Sequence, residues 1–116
     1  MSTGSTNRSL AAGESEDRYV QLAELEIDPA QLEKYLAAVK KHIETTVRAE
    51  PGVLVLYAVA HKDDPARITV FEIYKNIAAY RAHLETTHFN EYKAATGKMV
   101  KSLKLIPVMP IELRAK

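Results

Sequence analysis

The chain has no cysteine and no tryptophan, and only four glycines among its 116 residues. Without cysteine there is no disulfide, no thiolate nucleophile and no cysteine-held zinc or iron–sulfur centre. So few glycines leave no glycine-rich phosphate loop, and no serine stands in the G-x-S-x-G turn of a hydrolase. An excess of one charge is missing too: 16 basic residues face 15 acidic ones, for a net charge of +1. The charges are interspersed, as on a solvated surface, whereas a nucleic-acid binder shows a basic excess or stripe. No apolar run approaches the roughly 20 residues of a membrane span. The opening "MSTGSTNRSLAAGESEDR" lacks the apolar centre of a secretory signal. These absences lead to the expectation of a soluble, cytoplasmic protein with neither membrane nor nucleic acid as partner.

What is present fits one small globular domain: 47% of residues are apolar and 27% charged. Residues 1–18, rich in Ser, Thr, Gly and charge, read as a flexible tail, with the folded domain over 19–113. "YVQLAELEI" (19–27) predicts a strand with Tyr19, Ala23, Leu25 and Ile27 on one face. "DPAQ" predicts a helix start, with Asp28 as cap and Pro29 in the first turn. Leu32, Leu36, Val39, Ile43 and Val47 then form one helical stripe, which "EPG" at 50–52 stops. "VLVLYAVAH" (53–61) predicts a strand buried on both faces, and "KDDPA" a turn. "RITVFEIY" (67–74) completes the hairpin, with Ile68, Val70, Glu72 and Tyr74 pointing one way.

Asn76 can cap a helix through about residue 85 with Ile77, Tyr80 and Leu84 inward. "ETT" breaks the chain there. A threonine caps a second helix carrying Phe89, Tyr92, Met99 and Val100, and "SLKLIPVMPIEL" is a strand whose prolines suit an edge. The order β-α-β-β-α-β is the ferredoxin-like α+β arrangement. Helices cover one sheet face only. The other, expected to carry Val70 and Tyr74, is too apolar for water, so two subunits should pair face to face as a homodimeric α+β barrel.

Few residues stand out chemically. Glu72 interrupts an apolar strand face, where a carboxylate is costly unless hydrogen-bonded or paired. It reads either as an edge glutamate or one paired with a neighbouring Lys or Arg, or as one that orients a histidine or holds a polar substrate group. His83 lies near 90° from the Ile77/Tyr80/Leu84 stripe, at a boundary that can look into a cleft or into solvent. His88 opens the next helix, where the helix dipole favours the neutral ring, a form able to accept a proton; the plain alternative is a helix-start residue bonding backbone. As metal ligands the two are ill spaced, five apart rather than i, i+4, and no HExxH is present; His42 and His61 do not obviously complete a site. The expectation is no metal and no cofactor.

Beside this reading stands a resemblance. "EPG" before the second strand, "D-P" in the hairpin turn, "FEIY" on the third strand and "AHLETTHF" across the helix break resemble the antibiotic biosynthesis monooxygenase family, in its small quinol monooxygenase-like branch, over residues 19–113. The resemblance implies a dimeric α+β barrel and cofactor-independent oxygenation, by molecular oxygen, of a small quinol or phenol. It implies Glu72, His83 and His88 as catalytic positions. Tyr74 and Tyr57 are pocket candidates from strand geometry, and His42 resembles a histidine of isomerase-like relatives. Haem-degrading members of the superfamily use Asn, Trp and an axial His where this chain has Leu25, His83 and Lys93, so haem breakdown is set aside. Two other readings stand beside the oxygenase: an isomerase of a small phosphorylated dicarbonyl sugar derivative, and a non-enzymatic dimeric ligand-binding module.

Overall fold

The structure, a computed structural model, describes residues 17–116. The tail expected over residues 1–18 thus lies almost wholly outside the described residues. Strand β1 (Tyr19–Ile27) leads through a 3-10 turn (Pro29–Gln31) into helix α1 (Leu32–Ala49). Strands β2 (Val53–His61) and β3 (Asp64–Tyr74) form a hairpin, helices α2 (Ile77–His83) and α3 (Thr87–Thr96) follow, and β4 (Val100–Val108) ends the sheet. The strands form one antiparallel sheet in the order β2-β3-β1-β4. This is the ferredoxin-like α+β fold, with the second crossover helix broken in two.

The helix starts follow local chemistry. Asp28 accepts from the Ala30 N–H at 3.1 Å, Asn76 from Ala79 N–H at 2.8 Å, and Thr86 from Phe89 N–H at 3.2 Å. Each satisfies a backbone donor that the first helical turn leaves free. Other boundaries differ from the sequence reading. β3 begins at Asp64 rather than Arg67, so the hairpin turn is only Lys62–Asp63. Pro65 lies beyond the last β1 pair, Glu26 with Arg67, and so interrupts no bond to β1. α3 stops at Thr96, leaving Met99 in the connection and Val100 in β4. β4 stops at Val108, opposite Val20, because β1 offers almost no strand beyond that pair.

Strand parity decides what faces the helices. Ala23, Leu25 and Ile27 of β1 and Ile68 and Val70 of β3 join Tyr35 and Val39 of α1 in the main core. Tyr74 packs with Val53 and Leu56 in a second cluster. Val70 and Tyr74 therefore belong to the helix-covered face, not the open one. The open face instead carries a row across all four strands, Tyr57, Phe71, Leu22 and Ile106. β2 is not buried on both faces: Val53 and Leu56 are covered, while residues from Tyr57 onward are exposed.

The buried side of α1 is also displaced. Tyr35, Val39 and Thr46 are buried, whereas Val47 is 46% exposed. At 100° per residue the buried set is turned about 60° from the apolar stripe. In α2, Ile77 is exposed and His83 takes the buried position. Both shifts bring polar side chains inward, toward one place. No helix among the described residues is long and apolar enough to cross a membrane.

Candidate active site

Between the sheet and the helices lies a cavity of about 410 Å³. Its walls are mostly apolar, with Leu25, Val39, Leu56, Val70 and Phe89 among them, and its polar groups are few. The sheet supplies Gln21, Glu72 and Tyr74; the helices supply His42, His83 and Tyr92. An apolar enclosure with a few convergent polar groups is the usual form of a small-molecule site.

Glu72 is 9% exposed and has no Lys or Arg partner among the described residues. Its Oε1 instead accepts from the Gln21 amide at 3.0 Å and the Tyr74 hydroxyl at 2.8 Å. Burial raises the carboxyl's proton affinity; these two bonds and the nearby His83 oppose that rise without cancelling it. Tyr74, 1% exposed, is held protonated by burial and by the adjacent Glu72, so it stays a donor. Tyr19 continues the network, donating to Gln21 Oε1 at 3.1 Å.

His83 is 3% exposed at the end of α2. Its Nδ1 lies 2.8 Å from Oε2 of Glu50, and the same oxygen lies 2.5 Å from His88 Nε2. A carboxylate only accepts, so both ring nitrogens donate to it. His83 then keeps Nε2 as its basic nitrogen, with the ring held by Glu50, the carboxylate–imidazole arrangement that suits a general base. Sequence reasoning missed Glu50 altogether, having taken "EPG" as a helix stop. Glu50 caps α1 with its backbone N–H on Thr46 O, and its C=O takes Val53 N–H at 3.0 Å, which turns the side chain back toward α2 and α3.

His88 does not line the cavity; it stands behind Glu50 near the start of α3. Expected as a catalytic residue, it sets its Nε2 on Glu50 and not on the cavity. His42 belongs to the cluster after all. Its ring stacks on Tyr92 at 4.3 Å and lies 5.5 Å from the His83 ring and 5.9 Å from that of His88. Desolvation, then the charges of His83 and His88, lower its pKa to about 4 against the pull of Glu50, so it is neutral at pH 7. Tyr92 in turn shares a 2.6 Å hydrogen bond with Tyr35. Tyr57 is not a pocket residue: it pairs with Phe71 on the open face and is 61% exposed.

The comparisons with known proteins agree with the fold. The family model described as "Antibiotic biosynthesis monooxygenase" matches residues 18–95. A solved structure from Bacteroides thetaiotaomicron, described as a "putative antibiotic biosynthesis monooxygenase", is 47% identical, covers 88% of this chain and 99% of its own, and has a TM-score of 0.86. A "putative monooxygenase" from Lactobacillus acidophilus is 33% identical, with 79% of this chain and 44% of that one covered, at a TM-score of 0.78. A Caulobacter crescentus structure, 20% identical over 87% of this chain and 96% of that one, shares the fold at a TM-score of 0.79. No curated protein matches. With the family model matching most of the folded chain, and 47% identity to a relative covered almost end to end, the chain belongs to the antibiotic biosynthesis monooxygenase family, whose function is of the monooxygenase type.

Proposed function

We propose that the protein oxidises a small quinol or phenol with molecular oxygen, without a cofactor, using His83 and Glu72 as the proton-handling groups. The observation that carries this reading is an apolar cavity bordered by a carboxylate-held histidine and by a buried carboxyl of raised proton affinity. His83 takes the proton of a substrate hydroxyl. The electron-rich anion passes one electron to oxygen, and the radical pair closes a carbon–oxygen bond at a ring carbon that bears hydrogen. The protonated His83 then gives its proton to the resulting peroxide. The Glu72 carboxylate removes the ring-carbon hydrogen as the O–O bond breaks. The departing hydroxide takes that proton back from Glu72 and leaves as water. One substrate and one O2 give one quinone and one water, and both residues return to their starting state. The enclosure excludes water from the anion and the peroxide. Glu50 and His88 are positioning residues, and His42, Tyr92 and Tyr74 bound the substrate. Two subunits cover the open sheet faces as a homodimer.

A phosphorylated dicarbonyl substrate fits less well. Of the residues around the cavity only Lys93 carries a fixed positive charge, and it is exposed; a phosphate normally draws on several cationic or backbone donors. Oxygen uptake with a panel of quinols is the test. Uptake should survive chelation and dialysis, and fall by about 10²–10⁴-fold in His83→Ala and Glu50→Gln. Unchanged uptake in both variants would sink the assignment. Substrate rearrangement without oxygen use would favour the isomerase, and tight ligand binding without turnover the binding module.

A further inference from the structure

We infer that Glu50, His83 and His88 form a binding site for a divalent transition-metal ion, Zn2+ being the natural probe, and that the ion switches the proposed base off. The ligating atoms of these three residues lie within 4.8 Å of one another. They come from three places, the end of α1, the end of α2 and the start of α3. The five-residue separation of the histidines is therefore no obstacle, because Leu84–Thr86 separates their helices and no shared helix face is needed.

Two imidazoles and one carboxylate are the donor set of open zinc sites and of other first-row ions, not of Mg2+ or Ca2+. Ligands around a tetrahedral zinc, at bonds of about 2.0–2.2 Å, stand roughly 3.4 Å apart. To reach that spacing the two hydrogen-bonded pairs, at 2.8 and 2.5 Å, would open, and a pair near the 4.8 Å limit would close. A second observation points the same way. The Nδ1 of His42 is buried with no hydrogen-bond partner, while the His42 ring lies within 5.9 Å of both other rings. A buried ring nitrogen without a partner calls for an explanation, and a water held by an ion in the neighbouring cluster would supply one.

The consequence for His83 concerns its tautomer. With Nδ1 on the metal, the ring proton moves to Nε2. The nitrogen that would take the substrate's proton becomes an N–H donor, and no proton is gained or lost overall. This regulatory step rests on the oxygenase reading; the binding site and the tautomer change do not.

Calorimetric titration of the chelator-treated full chain with ZnCl2, together with nitrogen-15 spectra of the histidine rings, tests it. One Zn2+ should bind per chain, and the His83 ring should change from the Nδ1–H to the Nε2–H form. Outer-shell partners of a metal site alone are worth about 10–100-fold, so removing a ligand in Glu50→Gln or His88→Gln should weaken binding by at least roughly 100-fold. His61→Ala, at the far end of β2, should bind as the parent does. Absence of binding at micromolar Zn2+, or equal binding in all three variants, overturns the site whether or not the variants fold well. Undiminished oxygen uptake at saturating Zn2+ overturns the switch. A metal-free chain that binds Zn2+ with the tautomer change but consumes no oxygen upholds the site and removes the oxygenase reading instead.

Discussion

Oε2 of Glu50 serves two imidazoles at once, and Oε1 of Glu72 serves an amide and a phenol. The two carboxylates differ in what holds them. Glu72 accepts hydrogen bonds only from neutral donors, and burial leaves it with more proton affinity than an unfolded glutamate has. The sign follows by linkage. A carboxyl whose folded pKa is raised destabilises the fold above that pKa, and the cost is relieved as pH falls toward the ordinary carboxylate range. Glu72→Gln keeps the shape and removes the charge. It should therefore raise Tm at pH 7, with the gain over the parent shrinking on acidification, while oxygen uptake falls. Thermal unfolding from pH 7 down to pH 4 measures this. A lower Tm for the variant at pH 7, or a difference that ignores pH, would show that Glu72 is a structural hydrogen-bond acceptor and nothing more. A residue kept at some cost to stability fits a catalytic role better than a packing one.

At the scale of elements, the "EPG" corner meets the helix that carries His83. Gly52 O accepts from Lys75 N–H at 2.8 Å, and a Cβ on Gly52 would stand 2.7 Å from Ala79 Cβ in α2. The glycine is required for space. Gly52→Ala should cost about 1–3 kcal/mol by overpacking, and it should push α2, with His83, away from Glu50, so that oxygen uptake drops as well. Adding Ala79→Gly reopens the gap. In a double-mutant cycle by denaturant unfolding, the two changes should couple favourably despite roughly 1 kcal/mol lost to helix propensity; strict additivity would show that the contact does not set the corner. Element order, caps, the hairpin and the helix break were legible in the sequence because each has a local cause, such as Asn76 or Thr86 at a helix start. The inward side of α1 was not. Tyr35, His42 and Thr46 face in toward the core and cavity, and a pattern drawn from apolar residues alone passes over them. Glu50 was hidden for a related reason: its partners are 33 and 38 residues away in sequence. Glu72 stood out because a carboxylate on an apolar strand face is conspicuous, whereas His83, read at the flank of its helix, was singled out only through the resemblance. Tyr57 was misplaced because its relation to the cavity follows from strand parity: it stands opposite Phe71, one step off the Glu72 face.

For the molecule as a whole, the open sheet face is what the single chain leaves unfinished. The row Tyr57–Phe71–Leu22–Ile106 crosses every strand, and Val59, 60% exposed, lies beside it. Four strands about 4.8 Å apart and about nine residues long at 3.3 Å each present roughly 550 Å² of flat area. Side-chain relief brings this close to the roughly 800 Å² per partner of a stable interface. A second copy turned by a two-fold axis offers the same apolar row and covers both at once. Tyr57→Glu would set two carboxylates into that contact while leaving the helix-side cavity untouched. Sedimentation equilibrium at tens of micromolar should give twice the chain mass for the parent and the single chain mass for the variant. A monomeric parent would remove the dimer. A variant that stays dimeric would place the contact elsewhere on the surface. Retained oxygen uptake in a monomeric variant would further show that the cavity is complete within one chain, as expected from Glu72 and His83 both lining it from the same chain.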